Sequence, residues 1–411
     1  MAPELIEIEA ARQLVLERAA PLELEEVPLA EALGRVLASD VESSDSVPGF
    51  VNSAMDGFAL LAADTEGAEE APAMLRITDE SRAGTPAQAR LGPGEAIRIA
   101  TGAMLPDGAD SVVRVEDTSS EDSEVEVRVT VPEGANVRHA GEDIGAGEVV
   151  LRRGALLGPA ELGVLAAVGR ARAPCTRRPR TVVLTTGDEL HDPDEVLRPG
   201  GVRNANAFTL SALAERAGAE VVGASTVRDE RSATREAIER GLDGDVLLLS
   251  GGVSVGVHDH VRSTLDEIGV EQVFWGVALR PGKPTWFGTH PSGTLVFGLP
   301  GNPVSAIVAF LLFARPAIQA LLGVELARER TTAILDQDYE KRAGRAHLVR
   351  CRLELADDGW HVRPTKDQGS HVLTSMLGAD ALAIIPTESE SVSAGDRVEI
   401  ELLPSFSDRW A

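Results

Sequence analysis

TVVLTTGDEL (181–190), AEVVGASTVRDE (219–230), DVLLLSGG (245–252) and GTLVFGLPGNP (293–303) decide the fold. Each is a short apolar, β-branched run that stops at glycine, aspartate or proline, as a buried strand does. Helical patterns follow around Thr209–Ala217, around Thr234–Gly241, around Asp259–Ile268 and from Val304. VEQVFWGVAL (270–279) reads as a further strand. Strands alternating with helices predict a parallel sheet covered on both faces. Ligands of such sheets bind outside the carboxyl ends of the strands.

The loops at those ends are polar and glycine-rich: Thr185 to Glu189, Arg228 to Glu230, Ser250 to Gly256 with Asp259 beyond, and Gly298 to Pro303. Gly251 and Gly252 leave backbone amides open to an anion just before a helix starts, which fits phosphate binding. A tight strand-to-helix turn would need the same glycines. Neither a P-loop nor a GxGxxG fingerprint is present. Glu189, Asp229 and Asp259 all fall at or just past strand ends. Three carboxylates on one rim suit Mg²⁺ held by one or two direct bonds and waters; single acids there also serve as helix caps. Lys283, in RPGKP (280–284), offers a compact cation to an oxyanion, or is a surface lysine. Ser305 sits in a first helical turn, where it caps the helix or meets an oxyanion.

Outward from this unit the texture changes. Residues 8–20 read as a helix ending before Pro21. Leu29, Leu33, Val36 and Leu37 fall on one face of a second short helix. From about 45 to 150, runs such as IRIA, SVVRV and VEVRVTV alternate with turns and predict a β-rich region, with SSEDSE (119–124) as a solvated hairpin tip. Pro159 and Gly169 frame a helix. HLVRCRLEL, ALAIIPT and RVEIELL predict a small β-domain at the C-terminal end.

The chain has 411 residues, enough for two to four domains at about 150 residues each. It carries 39 basic and 65 acidic residues, a net charge of −26, which repels nucleic acid and anionic lipid. The three lysines are Lys283, Lys341 and Lys366. Many carboxylates with few lysines point to adaptation to concentrated salt, which screens self-repulsion. A GC-rich genome with an acidic proteome is the competing reading. Cys175 and Cys351 lie far apart with no CxxC, so neither a disulfide framework nor a zinc site is expected. MAPELIEIEA lacks signal-peptide character, and the apolar stretch near Val304–Ala314 is too short to cross a bilayer. A cytoplasmic location is expected, with no membrane and no nucleic-acid partner.

Three further stretches are over-specified for ordinary loops: VPGFVNSAMDGFA (47–59), RIATGA (98–103) and RHAGEDI (138–144). Together with TTGDEL, SGGVSVG, RPGKP and GLPGNPVSA, in this order, the chain resembles the molybdopterin molybdenumtransferase family, the MoeA proteins and the gephyrin E domain, along essentially its whole length.

The resemblance implies α/β plus β-rich domains in an elongated multidomain chain. A central three-layer α/β domain that binds molybdopterin spans 176–325, and a small C-terminal β-domain spans 326–411. The N-terminal helical/β domain is discontinuous, 1–45 and 146–175, around an inserted β-rich domain, 46–145. A homodimer is implied, with insertion of molybdenum from molybdate into adenylyl-molybdopterin, Mg²⁺ assisting and AMP leaving. Transient contact with the molybdopterin adenylyltransferase is a further expected partnership. The residues implied for chemistry are Asp56, Thr101, Asp143, Glu189, Asp229, Asp259 and Lys283, with Glu189, Asp229 and Asp259 toward the metal. Those implied for holding the substrate are Arg138, Gly251, Gly252, Ser254, Arg280, Pro300, Gly301, Asn302, Pro303 and Ser305. Where many bacterial relatives carry two lysines, this chain has Gly276 and Arg280; tungstate in place of molybdate stays open. Two other activities fit parts of the pattern. Adenylylation of molybdopterin would need only the α/β domain. A gephyrin-like scaffold would need a partner-binding surface, and no extra linker marks one.

Overall fold

Alternation along the apolar runs builds the central sheet. The structure is a computed structural model and describes residues 5–252, 260–324 and 331–403. The strands are β1 (Arg180–Thr186), β2 (Glu220–Val227), β3 (Val246–Ser250), β4 (Glu271–Trp275), β5 (Trp286–Thr289) and β6 (Leu295–Leu299). Their order is β2-β1-β3-β6-β5-β4. The first four are parallel, while β5 pairs antiparallel with both β6 and β4, so the sheet is mixed rather than parallel throughout. The cause is local: β4, β5 and β6 follow one another with no helix between them, and only a crossover can make consecutive strands parallel.

Successive residues of a strand face opposite ways. Val183, Leu248 and Phe297 join α1 (Ala205–Arg216) and the helical run from Pro303 to Leu321 in one core. Leu184, Leu247, Leu249 and Val296 join α2 (Arg231–Gly241) and α3 (Val261–Ile268) in the other. Three layers result. The Pro303–Leu321 run, α-helical but for a π-helical turn at Phe310–Ala314, is apolar and long enough to span a membrane. It is instead 83% buried, so it is the core helix of this unit.

The N-terminal helix spans Ile8–Leu16, shorter than the 8–20 expected, and buries Ile8, Ala11 and Val15 against that core. The second short helix expected through Leu29–Leu37 is absent. Only a 3₁₀ turn forms, Leu29–Glu31, because Gly34 takes φ +72° and Val36 and Leu37 spend their backbone bridging Leu156 and Cys175. Leu24–Pro28 pairs with Arg172–Thr176, and Val41–Glu42 with Val149–Leu151, so the chain returns to where the β-rich region left it. Within that region a six-stranded sheet packs Phe58, Leu60, Leu75 and Val113. Thr118–Glu121 and Glu124–Val127 form the expected hairpin. The framed helix spans Pro159–Ala167, with Gly169 at φ +77°.

Near the C-terminal end, strands Ala346–Ala356, Gly359–Pro364, Thr332–Leu335, Arg397–Leu402 and Ala381–Ile385 pair in that order. The last also pairs with the first, so they close into a small barrel. Leu279–Arg280 adds to Ala346–His347, which fastens the RPGKP loop to the barrel.

Candidate functional site

A cavity of about 900 Å³ opens at the carboxyl ends of β1, β2, β3 and β6. Of the residues expected there, Glu189, Asp229, Gly251, Gly252, Pro300, Gly301, Asn302 and Pro303 line it. Ser254 and Asp259 lie outside the described residues.

The two glycines answer to packing as well as to any ligand. Gly251 has φ +93°, and a Cβ there would come within 2.7 Å of the Thr186 carbonyl oxygen and 2.9 Å of its Oγ1. Gly252 has φ +67°, and its Cβ would meet Val261 Cγ2 at 2.4 Å and Thr186 Oγ1 at 2.9 Å. The close turn is therefore real. It also brings both glycines against Thr186 at the end of β1, where they line the cavity.

The acids gather as charge. The Asp229 N–H donates to Asp188 Oδ1 at 3.3 Å. Burial pushes the Asp229 carboxyl above its ordinary range, and the neighbouring Asp188 and Glu189 push it further. Negative charge is thus concentrated, with His260 only partly offsetting it at Asp229 and Arg203 on the same cavity wall, and hard oxygen donors of this kind suit Mg²⁺. Among the described residues, no three His, Cys, Asp or Glu side chains converge as a ready metal cage. The arrangement fits an ion that keeps most of its waters and takes one or two carboxylates, as Mg²⁺ does.

Lys283 and Ser305 do not line this cavity. Lys283 is exposed at the loop tip, where its carbonyl accepts from the Val277 N–H at 2.9 Å; its neighbour Pro284 is the residue that reaches the cavity. Ser305 is 4% exposed, and a Cβ on Gly282 would sit 3.8 Å from its carbonyl oxygen, so the RPGKP loop lies against that helical turn. Arg280 borders a second cavity of about 710 Å³, with Tyr339, Lys341, Arg342, Arg345 and His347. Burial and the cations Arg280, Lys341 and Arg345 push the His347 imidazole down to about 4. It is neutral at pH 7 in a strongly positive pocket, inside a chain of net charge −26. Gly276 is buried with φ +87°, its N–H bonded to the Thr285 carbonyl.

The N-terminal residues form a cluster of their own. The Thr101 N–H donates to Asp56 Oδ1 at 2.8 Å, and the Gly102 N–H to the Ser53 carbonyl. Asn52–Ser53 pairs with Val137–Arg138, and the Asp143 N–H meets the Val47 carbonyl. Arg138, Asp143, Asn52 and Gly102 thereby surround an open cavity of about 610 Å³. Gly57 of SAMDGF is required by packing, since a Cβ there would fall 1.8 Å from the Val113 carbonyl oxygen. The residues around this cavity and those around the strand-end cavity do not overlap.

Sequence reasoning missed several cavity residues. Asn204 caps α1, accepting from the Ala207 N–H at 3.1 Å, and its Nδ2 donates to Thr185 Oγ1 and Thr226 Oγ1. Asn206 and Ser250 also line the wall. The helix begins four residues before the Thr209 expected, and an asparagine cap ahead of the apolar pattern was the available signal. His371 reaches the cavity from the C-terminal unit, whose preceding residue Ser370 accepts from Asn302 Nδ2 at 3.2 Å. Fully buried Arg350 holds that segment through the Asp367 and Gly369 carbonyls. No local pattern announces either residue.

A three-layer α/β unit with a glycine-lined, acid-rimmed cavity, flanked by a β-rich region and a closed barrel, defines a multidomain chain built around a ligand-binding domain. Residues 6–169 match the MoeA N-terminal region (domain I and II), 182–320 a probable molybdopterin binding domain, and 332–403 the MoeA C-terminal region (domain IV). The chain is 34% identical over 403 residues to the molybdopterin molybdenumtransferase of Haemophilus influenzae, covering 97% of this chain and 98% of that one. It is 36% identical over 384 residues to molybdopterin molybdenumtransferase 2 of Mycobacterium tuberculosis, covering 91% and 94%. The crystal structure of the molybdopterin biosynthesis MoeA protein from Pyrococcus horikoshii matches with a TM-score of 0.84 at 31% identity, over 97% of this chain and all of that one. The chain belongs to the MoeA family of molybdopterin molybdenumtransferases, enzymes of molybdenum cofactor biosynthesis.

Proposed function

We propose that this chain inserts molybdenum from molybdate into adenylyl-molybdopterin, releasing AMP, in the strand-end cavity. The observation that carries the reading is that cavity: glycine loop, 300–303 turn and crowded acids on one rim of the family's molybdopterin-binding unit. The Gly252 amide, on a loop that Gly251 fastens to the Leu299 carbonyl, and the turn at Pro300–Pro303 bind and orient phosphate oxygens. Glu189 and Asp229, with Asp259, would hold Mg²⁺, which when bound neutralises charge on the phosphoanhydride. Lys283, exposed beside the wall residue Pro284, and Arg280, in the neighbouring pocket, would present the oxyanion with positive charge from outside the cavity wall, with Ser305 on the helical turn against which their loop packs. The cationic pocket at Arg280 supports that assignment, because it concentrates positive charge beside the same loop.

The N-terminal group, Asp56, Thr101, Asp143 and Arg138, completes the site from the second subunit of a homodimer. Its cavity is separate from the strand-end cavity within one chain, which supports that reading. Four domains, with 1–45 and 146–175 forming one around the insertion 46–145, then 176–325 and 326–411, agree with the returning strand pairs. The enzyme works in the cytoplasm and is adapted to salt, with transient contact to the adenylyltransferase that supplies its substrate.

The test is AMP release from adenylyl-molybdopterin with molybdate, with tungstate and with neither, each with and without a chelator. Release that needs the oxyanion and stops in chelator is expected. Release independent of both would refute the reading, and ATP turnover without molybdate would point to adenylylation instead. Tungstate equal to molybdate would leave the reaction class intact and broaden the metal substrate.

A further inference from the structure

Asn206 stands in the first turn of α1, 9% exposed, on the wall of the strand-end cavity. Its Nδ2 donates to Ser250 Oγ at 2.8 Å and to the Gly301 carbonyl at 2.8 Å. The second partner fixes the amide's orientation: a carbonyl only accepts, so the edge facing Gly301 is the NH₂ group. Oδ1 must then face away, and it is buried with no hydrogen-bond partner.

Ser250 and Gly301 belong to different loops. Ser250 ends β3 and opens the glycine loop, while Gly301 lies in the turn after β6. The Ser250 hydroxyl, which accepts from Asn206, also lies 3.4 Å from the Pro300 carbonyl, and the Gly251 N–H donates to the Leu299 carbonyl at 3.2 Å. One side chain from a third element thus ties together the two segments that frame the cavity.

We propose that Asn206 is a positioning residue for the cavity's ligand: Nδ2 locks the Ser250–Gly252 loop to the Gly301 turn and so holds in register the two segments that frame the cavity. This assignment rests on the molybdopterin reading of the cavity.

The experiment compares wild type with Asn206→Ala, Ser250→Ala and the double variant. It measures KM and kcat for AMP release from adenylyl-molybdopterin, with melting temperature alongside. Asn206→Ala should raise KM by about tenfold or more, the scale of one or two lost hydrogen bonds, with kcat changing less. Ser250→Ala should raise it by a smaller factor. The double variant should resemble Asn206→Ala alone, because Ser250 acts through Asn206. A folded Asn206→Ala enzyme with KM within threefold of wild type would overturn the assignment, as would variants whose kcat and melting temperature fall together at constant KM. If Asn206→Ala does not fold, Ser250→Ala decides: KM unchanged there overturns the clamp. Wild-type enzyme that releases no AMP would fail the functional reading itself, a separate outcome.

Discussion

Two glycines on the same cavity wall should respond oppositely to alanine. At Gly251, φ is +93° and the added Cβ would press on the backbone oxygen of Thr186 at 2.7 Å, a group that cannot rotate aside. The left-handed backbone costs a non-glycine residue about 1–2 kcal/mol. Overpacking against fixed atoms adds about 1–3 kcal/mol, for a total of about 2–5 kcal/mol. That is a large share of the roughly 5–15 kcal/mol that holds a domain folded. At Gly301 the Cβ would find only Gly251 Cα, at 3.8 Å, an ordinary contact. Gly301→Ala should therefore stay within about 0.5 kcal/mol of wild type, as surface changes do.

The assay is urea unfolding followed by tryptophan fluorescence, which Trp275 and Trp286 report from within the sheet. Gly251→Ala should lower the midpoint and weaken substrate binding together. Gly301→Ala should keep the midpoint, so any loss of AMP release it causes measures crowding of the ligand. A Gly251→Ala protein as stable and active as wild type would refute the packing argument. A destabilised Gly301→Ala protein would show that the turn is tighter than its geometry implies.

Four other outcomes are expected. Lys283→Ala should cut AMP release by roughly 10²-fold, the scale for losing a positioned charge-stabilising donor; an unchanged rate at saturating molybdate returns Lys283 to a surface role. Asp245 is half-buried, which alone would raise its carboxyl, yet the Arg177 guanidinium at 2.6 and 2.8 Å and the Arg180 N–H hold it below the ordinary value. A depressed folded-state value gives stability that is complete above the unfolded value, near 3.9, and is lost as pH falls through the folded one. Asp245→Asn should therefore lower the melting temperature at pH 7, with the gap narrowing below about pH 4; a gap independent of pH would reject the ion pair as its source. Melting temperature should fall as salt is diluted from molar to about 0.1 M, because a net charge of −26 repels itself more strongly; a flat response would reject salt adaptation. Refolding Asp56→Ala and Asp259→Ala chains together should restore about a quarter of wild-type activity if sites are shared across a two-fold dimer, and none if each site is built within one chain.

What the sequence displayed and what it hid divide along a physical line. The strands of the central unit were legible because burial on both faces makes continuous apolar runs, and their polar ends announced the cavity. Pairing direction was not, since nothing local distinguishes β5 beside β6 as antiparallel except the missing helix between them. Leu29–Leu37 mimicked a helical face while its backbone was committed to distant partners, Leu156 and Cys175. The glycines of the cavity were visible, but their dependence on Thr186 was not, because that approach joins neighbouring strands. His371 and Arg350 were beyond reach for the same reason: their roles come from a C-terminal barrel docking onto the turn at Asn302, far back along the chain.

The charge distribution ties these observations to the chemistry. On the proposed function a chain of net charge −26 binds anionic substrates, so attraction has to be local rather than global. At molar salt the screening length is about 3 Å, and only groups nearly touching the ligand still act. Fixed backbone amides at Gly252 and the 300–303 turn meet that condition, as do the cations around Arg280. Such donors work only if they are already in place, because no long-range field draws the ligand to them. The connections that hold them therefore belong to the binding function: Asn206 between two loops, Thr186 beneath the glycines, and Ser370 against Asn302. Loosening any of the three should weaken binding, even where the bond that breaks joins two parts of the protein and never touches the substrate.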